Sequence, residues 1–393
     1  MAPLLPLRER ATATDNALSS APVEEFEKIR PYRDDEVAEV LRRVVADPAA
    51  AQGVARFLAP GCFRHAPRIT CWALARALAW RTRNLRSVDD LHGEIGHWFG
   101  RLIRRTTTGL TWSGIETLET GEPHLFVSNH RDIALDSAYM NYALWSSGYR
   151  TSQIAVGENL FTHAFATDLM RLNRGFMVPR TGGSPRTQYA GMRTTSRYIR
   201  AVLDAGESVW IAQRDGRAKD GIDRTEPALL KMFLLAWRGE CDAIGDWLRR
   251  VRLVPVSISY ELDPCAGAKA RELYLTARDG GYEKPDGEDH ACMVQGILGF
   301  KGAVHVAFGT RVEGDFESAE ELAAHLDRVI VGNLRMYSTH VFALEGRANL
   351  GPRVGEAFHG TLDDCPPEHR DYVLLQYANQ LRNQRELVDG VVT

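Results

Sequence analysis

A chain of 393 residues, 44% hydrophobic and 25% charged, has ample material for one large or two ordinary globular domains. Its formal net charge of −3 offers no general basic field for nucleic acid. The six cysteines, at 62, 71, 241, 265, 292 and 365, form no Cys-x-x-Cys pair and are too sparse for a disulfide framework, which points to a reducing compartment.

Residues 1–24 read as a flexible polar tail, where Arg8, Glu9, Arg10 and Asp15 interrupt the apolar core a signal peptide needs. Residues 25–110 read as a helical N-terminal domain. Within it Asp34 to Ala46 is charged and amphipathic, and Ser87 with Asp90 offers a capping box for a helix to about Arg105. Residues 64–86 carry Arg64, Arg68, Arg76, Arg81, Arg83 and Arg86 with Trp72 and Trp80 and no acid. Such a helix suits an anionic lipid surface, though Cys71, Leu74, Ala75 and Leu78 could equally face a core. No apolar run reaches the roughly eighteen residues that span a bilayer. The longest, Ala228 to Trp237, is short and contains Lys231, which either extends a binding pocket or only snorkels.

From Trp112 the texture changes to short β runs at 124–128, 151–156, 175–179, 207–213, 252–260 and 304–312. Helical stretches at 133–147, 160–172, 188–205 and 226–250 lie between most of them, with Thr225 and Pro227 as start signals for the last. This alternation predicts an α/β domain over 111–317, a mixed, mostly parallel sheet flanked by helices, with chemistry collected at strand C-termini. Residues 264–290, rich in Gly, Asp and Lys, read as an exposed excursion, and 318–393 as a C-terminal helical region.

The first strand runs into Ser128-Asn129-His130-Arg131-Asp132, with Asp136 following. A histidine at the end of a buried strand, with a carboxylate on the next helix, supplies a base and the group that orients it. The plain alternative is a capped helix beside a satisfied histidine. No Gly-x-Ser-x-Gly elbow occurs, so the nucleophile need not come from the protein. Other strand exits carry Gly175 to Arg180 and Gln213 to Lys219. Glycines with Arg180, Arg217 and Lys219 suggest an anionic substrate, most simply a phosphate, whose hydroxyl meets the base. The remaining histidines, among them His92, His97, His163 and His305, show no metal-ligand spacing, so no metal is expected. Tyr260-Glu261 reads as a strand end.

Asn129-His130 with Asp136, Gly175-Phe176 to Arg180, Asp215-Gly216-Arg217 and Val254-Pro255-Val256 occur in the order seen in the bacterial glycerol-phosphate and lysophosphatidate acyltransferase superfamily, which residues 112–262 resemble. That family usually places Asp five residues after His. Position 135 here is Leu, with carboxylates at 132 and 136, and Asp215 replaces the usual Glu. The resemblance implies a glycerol-phosphate acyltransferase-like fold and acyl transfer from acyl-CoA or acyl carrier protein to glycerol 3-phosphate or its 1-acyl form, with no other cofactor. It makes His130 the base and Asp136 its partner, with Asp132 the fallback because Asp132 can cap the helix. Arg180, Arg217 and Lys219 would hold the phosphate; Asn129, Gly175, Asp215 and Gly216 would shape the loops. The implied setting is cytoplasmic, peripheral on the inner face of the inner membrane through 64–86. Another lyso-lipid, aminolipid or metabolite acceptor is an alternative, as is a non-catalytic lipid-binding protein on a degenerate scaffold.

Overall fold

The computed structural model describes residues 23–162, 164–179 and 184–388. Most of the expected tail therefore lies outside the described residues, as do Arg180 and His163. Seven strands form one sheet: β1 (Gly109–Ser113), β2 (Leu125–Ser128), β3 (Gln153–Gly157), β4 (Gly175–Val178), β5 (Val209–Ala212), β6 (Leu253–Tyr260) and β7 (Ala303–Phe308), in the order β1-β7-β6-β2-β5-β3-β4. Strands β6, β2, β5, β3 and β4 are mutually parallel. Strand β7 runs antiparallel to β6 and pairs in parallel with β1. The sheet is thus mixed and mostly parallel, flanked by helices.

Alternation along the central strands divides two cores, because successive side chains leave a strand on opposite faces. Leu125, Val127, Val209, Ile211 and Leu253 pack on one face with residues from helices Pro185–Asp204, Pro227–Leu234, Ile244–Val251 and Ala319–Gly332. Phe126, Trp210, Val254, Val256 and Ile258 pack on the other with helices Val88–Thr106 and Leu135–Ser146. Burial on both faces explains why β2 reads as an uninterrupted apolar run. From β2 the chain crosses to β3 on one side, and from β5 it returns to β6 on the other. The exit of β2 therefore opens into a crevice at a reversal of strand order.

The N-terminal helices Asp34–Ala46 and Val88–Thr106 share a small core with Leu172 of the sheet unit. Asp168 anchors this junction, accepting from Arg43 Nε at 2.7 Å and Tyr32 Oη at 2.7 Å. Helix Pro67–Thr82 is different. Only Thr70 is buried in it, while Cys71, Leu74, Ala75 and Leu78 are half-buried and Ile69, Trp72 and Trp80 are 69%, 67% and 66% exposed.

Several expectations change. β1 replaces an expected helical end and loop, and the strand expected over 304–312 stops at Phe308. The stretch 226–250 is broken by a left-handed turn at Gly239 (φ 83°) into separate helices. Thr225 does not cap the first of these; its hydroxyl donates to Gln213 Oε1 at 3.3 Å. The excursion over 264–290 is mostly helix Ala266–Asp279, with Ala266, Lys269 and Ala270 buried. Its contacting face is built from small alanines, which give no strong apolar stripe but admit close approach of helix Pro367–Val388. The region from Ser318 is helical as read.

Two buried histidines tie this fold to pH. Burial pushes His92 down from 6.5 to about 4, helped by Arg174. Burial does the same to His340, helped by Arg131. Both are neutral when folded and bind protons on unfolding below their ordinary value. Their contribution is fully present above pH 6.5 and is lost as pH falls toward about 4. Each should remove roughly 2 kcal/mol between pH 6.5 and 5, at 1.36 kcal/mol per unit. Urea unfolding at pH 7 and pH 5 checks this: His340→Gln should flatten the difference by about that amount, and an unchanged difference would refute it.

Candidate active site

Strand β2 hands its chain to Asn129, whose side chain continues the ladder after the strand ends. Its Nδ2 donates to Ile258 O at 2.9 Å and its Oδ1 accepts from Ile258 N–H at 2.8 Å. Behind it Ser128 Oγ accepts from Trp210 Nε1 at 3.0 Å, and the Trp210 ring stands edge-on to His130 at 6.0 Å. The carbonyl of His130 accepts from Ala218 N–H at 2.9 Å, so the loop after β5 is tied to the histidine's own backbone. Backbone groups of β6 and of the loop after β5 thus fix where His130 stands.

His130 Nδ1 lies 2.8 Å from Asp136 Oδ2, leaving Nε2 for the cleft that the histidine lines. Asp136 has no exposed surface. The same Oδ2 accepts from Arg131 N–H at 2.6 Å and Asp132 N–H at 3.0 Å, while Oδ1 accepts from Tyr260 Oη at 2.6 Å. Burial works to raise the Asp136 carboxyl, but the hydrogen bonds from His130, Tyr260 and the backbone outweigh it and hold it below the ordinary carboxylate value. Burial, then the charge of Asp136, keep the Tyr260 hydroxyl protonated. Tyr260 was read from sequence only as a strand end; nothing local links it to a residue 124 positions earlier.

Asp132 takes the other role. Its Oδ1 accepts from Ala134 N–H at 3.0 Å and Leu135 N–H at 2.8 Å, satisfying free donors at the start of helix Leu135–Ser146. Burial and the neighbouring Asp136 raise its carboxyl above the ordinary value.

The cleft, about 660 Å³, opens beside His130. Its lining includes the apolar Ile154, Val156, Met170, Met192, Leu229 and Met232, and also Arg214, Asp215, Gly216, Arg217, Lys219 and Asp289. Gly216 adopts φ 72°, a left-handed turn that a side chain would strain. Gly175 opens β4 and also lines the cleft. Arg217 is largely buried, 3.9 Å from Asp289, and its Nη1 has no hydrogen-bond partner among the described residues. Lys219 lines the cleft too, but its ammonium is held by Glu272. Lys231 stands away from the cleft lining and pairs with Glu320. Of the three cations expected to share one anion, Arg217 and Lys219 are brought together, Lys219 already partnered, and Arg180 falls outside the described residues. Arg214 falls within the Gln213 to Lys219 exit read from sequence, whereas Asp289 and the helix Glu288–Leu298 that carries it were missed.

A buried network backs the loop. Arg131 pairs with Asp223, and Lys269 Nζ reaches both Arg131 O at 2.8 Å and Asp263. Among the described residues no group of three or more His, Cys, Asp or Glu is placed to hold a metal ion.

Residues 109–237 match the family model described as Acyltransferase. By that match this part of the chain is an acyltransferase domain. The match begins at the first residue of β1 and ends with the short helix Leu235–Trp237, before β6. Among solved structures, the 1-acyl-sn-glycerophosphate (LPA) acyltransferase PlsC from Thermotoga maritima is similar at 15% identity, over 75% of this chain and 92% of that chain, with a TM-score of 0.35. No curated protein matches the chain significantly.

Helix Glu288–Leu298 packs so closely on the histidine loop that a Cβ at Gly296 would collide with the Asp132 carboxylate. Gly296→Ala should therefore cost about 1–3 kcal/mol of stability. Gly281→Ala, with nothing near the added carbon, should unfold at the wild-type denaturant concentration. Equal midpoints for the two variants would contradict this packing.

Proposed function

We propose that this acyltransferase moves a fatty acyl group from acyl-CoA or acyl carrier protein to a hydroxyl of glycerol 3-phosphate or 1-acylglycerol 3-phosphate. The observation that carries the reading is the 2.8 Å contact of His130 Nδ1 with a fully buried carboxylate, on the wall of a cleft that also presents Arg217. His130 Nε2 takes the proton from the acceptor hydroxyl as its oxygen attacks the thioester carbonyl carbon. The tetrahedral adduct collapses, the carbon–sulfur bond breaks, and the proton passes from the imidazolium to the departing thiolate. No acyl-enzyme is required. Asp136 keeps the proton of neutral His130 on Nδ1 and offsets the positive charge that develops there.

Arg217 suits the acceptor phosphate because its guanidinium is desolvated, retains an unused donor and cannot lose its charge. Lys219 adds less, being offset by Glu272. The Ile154, Val156, Met170, Met192, Leu229 and Met232 lining suits an acyl chain.

The test is thiol release from acyl-CoA with glycerol 3-phosphate, 1-acylglycerol 3-phosphate or a neutral lyso-lipid as acceptor. The phosphate acceptors should be preferred and His130→Ala should abolish release. Asp136→Asn should lower the chemical step by roughly 10²–10⁴, whereas Asp132→Asn should cost little because Asn caps a helix about as well. A dead Asp132 variant beside an active Asp136 variant would overturn the dyad, and preference for neutral acceptors would overturn the phosphate assignment.

The same reading places the N-terminal helices on anionic lipid. Residues 48–87 hold seven arginines and no Asp or Glu, and Ile69, Trp72 and Trp80 project from a helix with one buried residue. No helix among the described residues is long and apolar enough to cross a membrane, so contact would be made along a face. Flotation should recover the protein with anionic vesicles and far less with neutral ones, and Trp72→Ala with Trp80→Ala should weaken recovery. Equal recovery on both vesicle types would count against the assignment.

A further inference from the structure

We infer that Tyr260 is a positioning residue for acyl transfer, locking the Asp136 carboxylate so that its other oxygen stays on His130; this rests on His130 being the base. Among the described residues, Asp136 Oδ2 carries three hydrogen bonds, from His130, Arg131 N–H and Asp132 N–H, whereas Oδ1 receives the Tyr260 hydroxyl at 2.6 Å. A carboxylate can turn about its Cβ–Cγ bond and exchange its oxygens. With Oδ1 buried and undonated, a partial turn that shares the loop's donors between both oxygens would relieve a desolvated lone pair and lengthen the histidine contact. Tyr260 removes the incentive.

The fold delivers this hydroxyl by an indirect route. Strand β2 pairs with β6 only as far as Ser128 with Val256, four residues short of Tyr260. The paired bonds of the Asn129 amide to Ile258 carry the register past the end of β2, and β7 continues it by pairing Val304 with Tyr260. The Tyr260 ring is then held against Tyr139, with ring centres 5.9 Å apart. Phe in place of Tyr keeps that packing and deletes only the donor.

The charged and titratable groups facing Asp136 come from several elements: His130, Arg131 and Asp132 from its own loop, Asp223 from the segment after β5, Tyr139 from its helix and Tyr260 from β6. Of these, Tyr260 is the side-chain donor that draws charge away from the oxygen opposite His130. Without it the carboxylate is free to turn, and the contact between His130 Nδ1–H and Oδ2 loosens.

The experiment follows the hydrogen-bonded Nδ1–H proton of His130 in the full chain by NMR, assigned with His130→Gln, and measures thiol release from acyl-CoA with 1-acylglycerol 3-phosphate. Tyr260→Phe should move that resonance upfield and broaden it by exchange with water, the signature of a loosened contact to Asp136. It should lower kcat about tenfold with KM for the acceptor within about twofold, as expected for a lost hydrogen bond to a charged group. Tyr139→Phe, on the same ring pair, should leave the resonance in place. A Tyr260→Phe variant whose resonance does not move overturns the inference whatever its rate, since a purely structural role would lower activity without moving it. A shifted resonance with wild-type kcat overturns it as well. Activity surviving in His130→Ala overturns the base assignment and this inference with it. An inactive His130→Ala beside an unaltered Tyr260→Phe overturns this inference alone.

Discussion

The architecture of the site depends on one requirement: a carboxylate with no exposed surface must be satisfied by the protein alone. Desolvating Asp136 is unfavourable unless each oxygen has donors, and the fold brings them from its own loop and from the end of β6. Meeting that demand sets the entry of helix Leu135–Ser146, the tautomer of His130 and the length of β6 beyond its partner β2.

The same economy governs the charges behind the loop. Arg131 with Asp223 and Lys269 with Asp263 are buried ion pairs, and Lys269 also donates to the Arg131 carbonyl. Lys301, fully buried, donates to Ile297 O at 3.1 Å and Gly299 O at 2.6 Å at the end of the helix that leans on Asp132. Burial lowers its ammonium to about 8, opposed by the charge of Asp132. Such pairs contribute little net stability against an apolar core. Their effect is to hold the histidine loop in one position, because breaking any of them strands a charge.

The cleft combines two chemistries. Its apolar lining comes largely from strand ends and helices whose faces are core elsewhere, and its charged lining largely from the loop after β5 and from helix Glu288–Leu298. Arg217 lines it near the Asp289 carboxylate, with a buried donor unused. Lys219 and Lys231 look similar to it along the chain, yet each is taken by a glutamate, Glu272 or Glu320, from a distant segment.

Much was legible in the sequence where the signal is local. Helix Asp34–Ala46, the Ser87–Asp90 capping box, six of the seven strands, and a histidine delivered at a strand end all follow from periodicity and capping chemistry, which act over a few neighbours. β1 and helix Ala266–Asp279 were not legible, because one is a half-exposed edge strand and the other buries small alanines and a lysine rather than an apolar stripe. By itself the sequence determined an α/β sheet with His130 at a strand exit and two candidate carboxylates beside it. Only the tertiary structure decided that Asp136 meets the ring while Asp132 caps the helix, that Tyr260 completes the carboxylate's shell, and which cations reach the cleft with charge to spare. Those outcomes depend on strand register and on partners more than 50 residues away, as with Lys219 and Glu272, and spacing along the chain does not encode where such partners arrive.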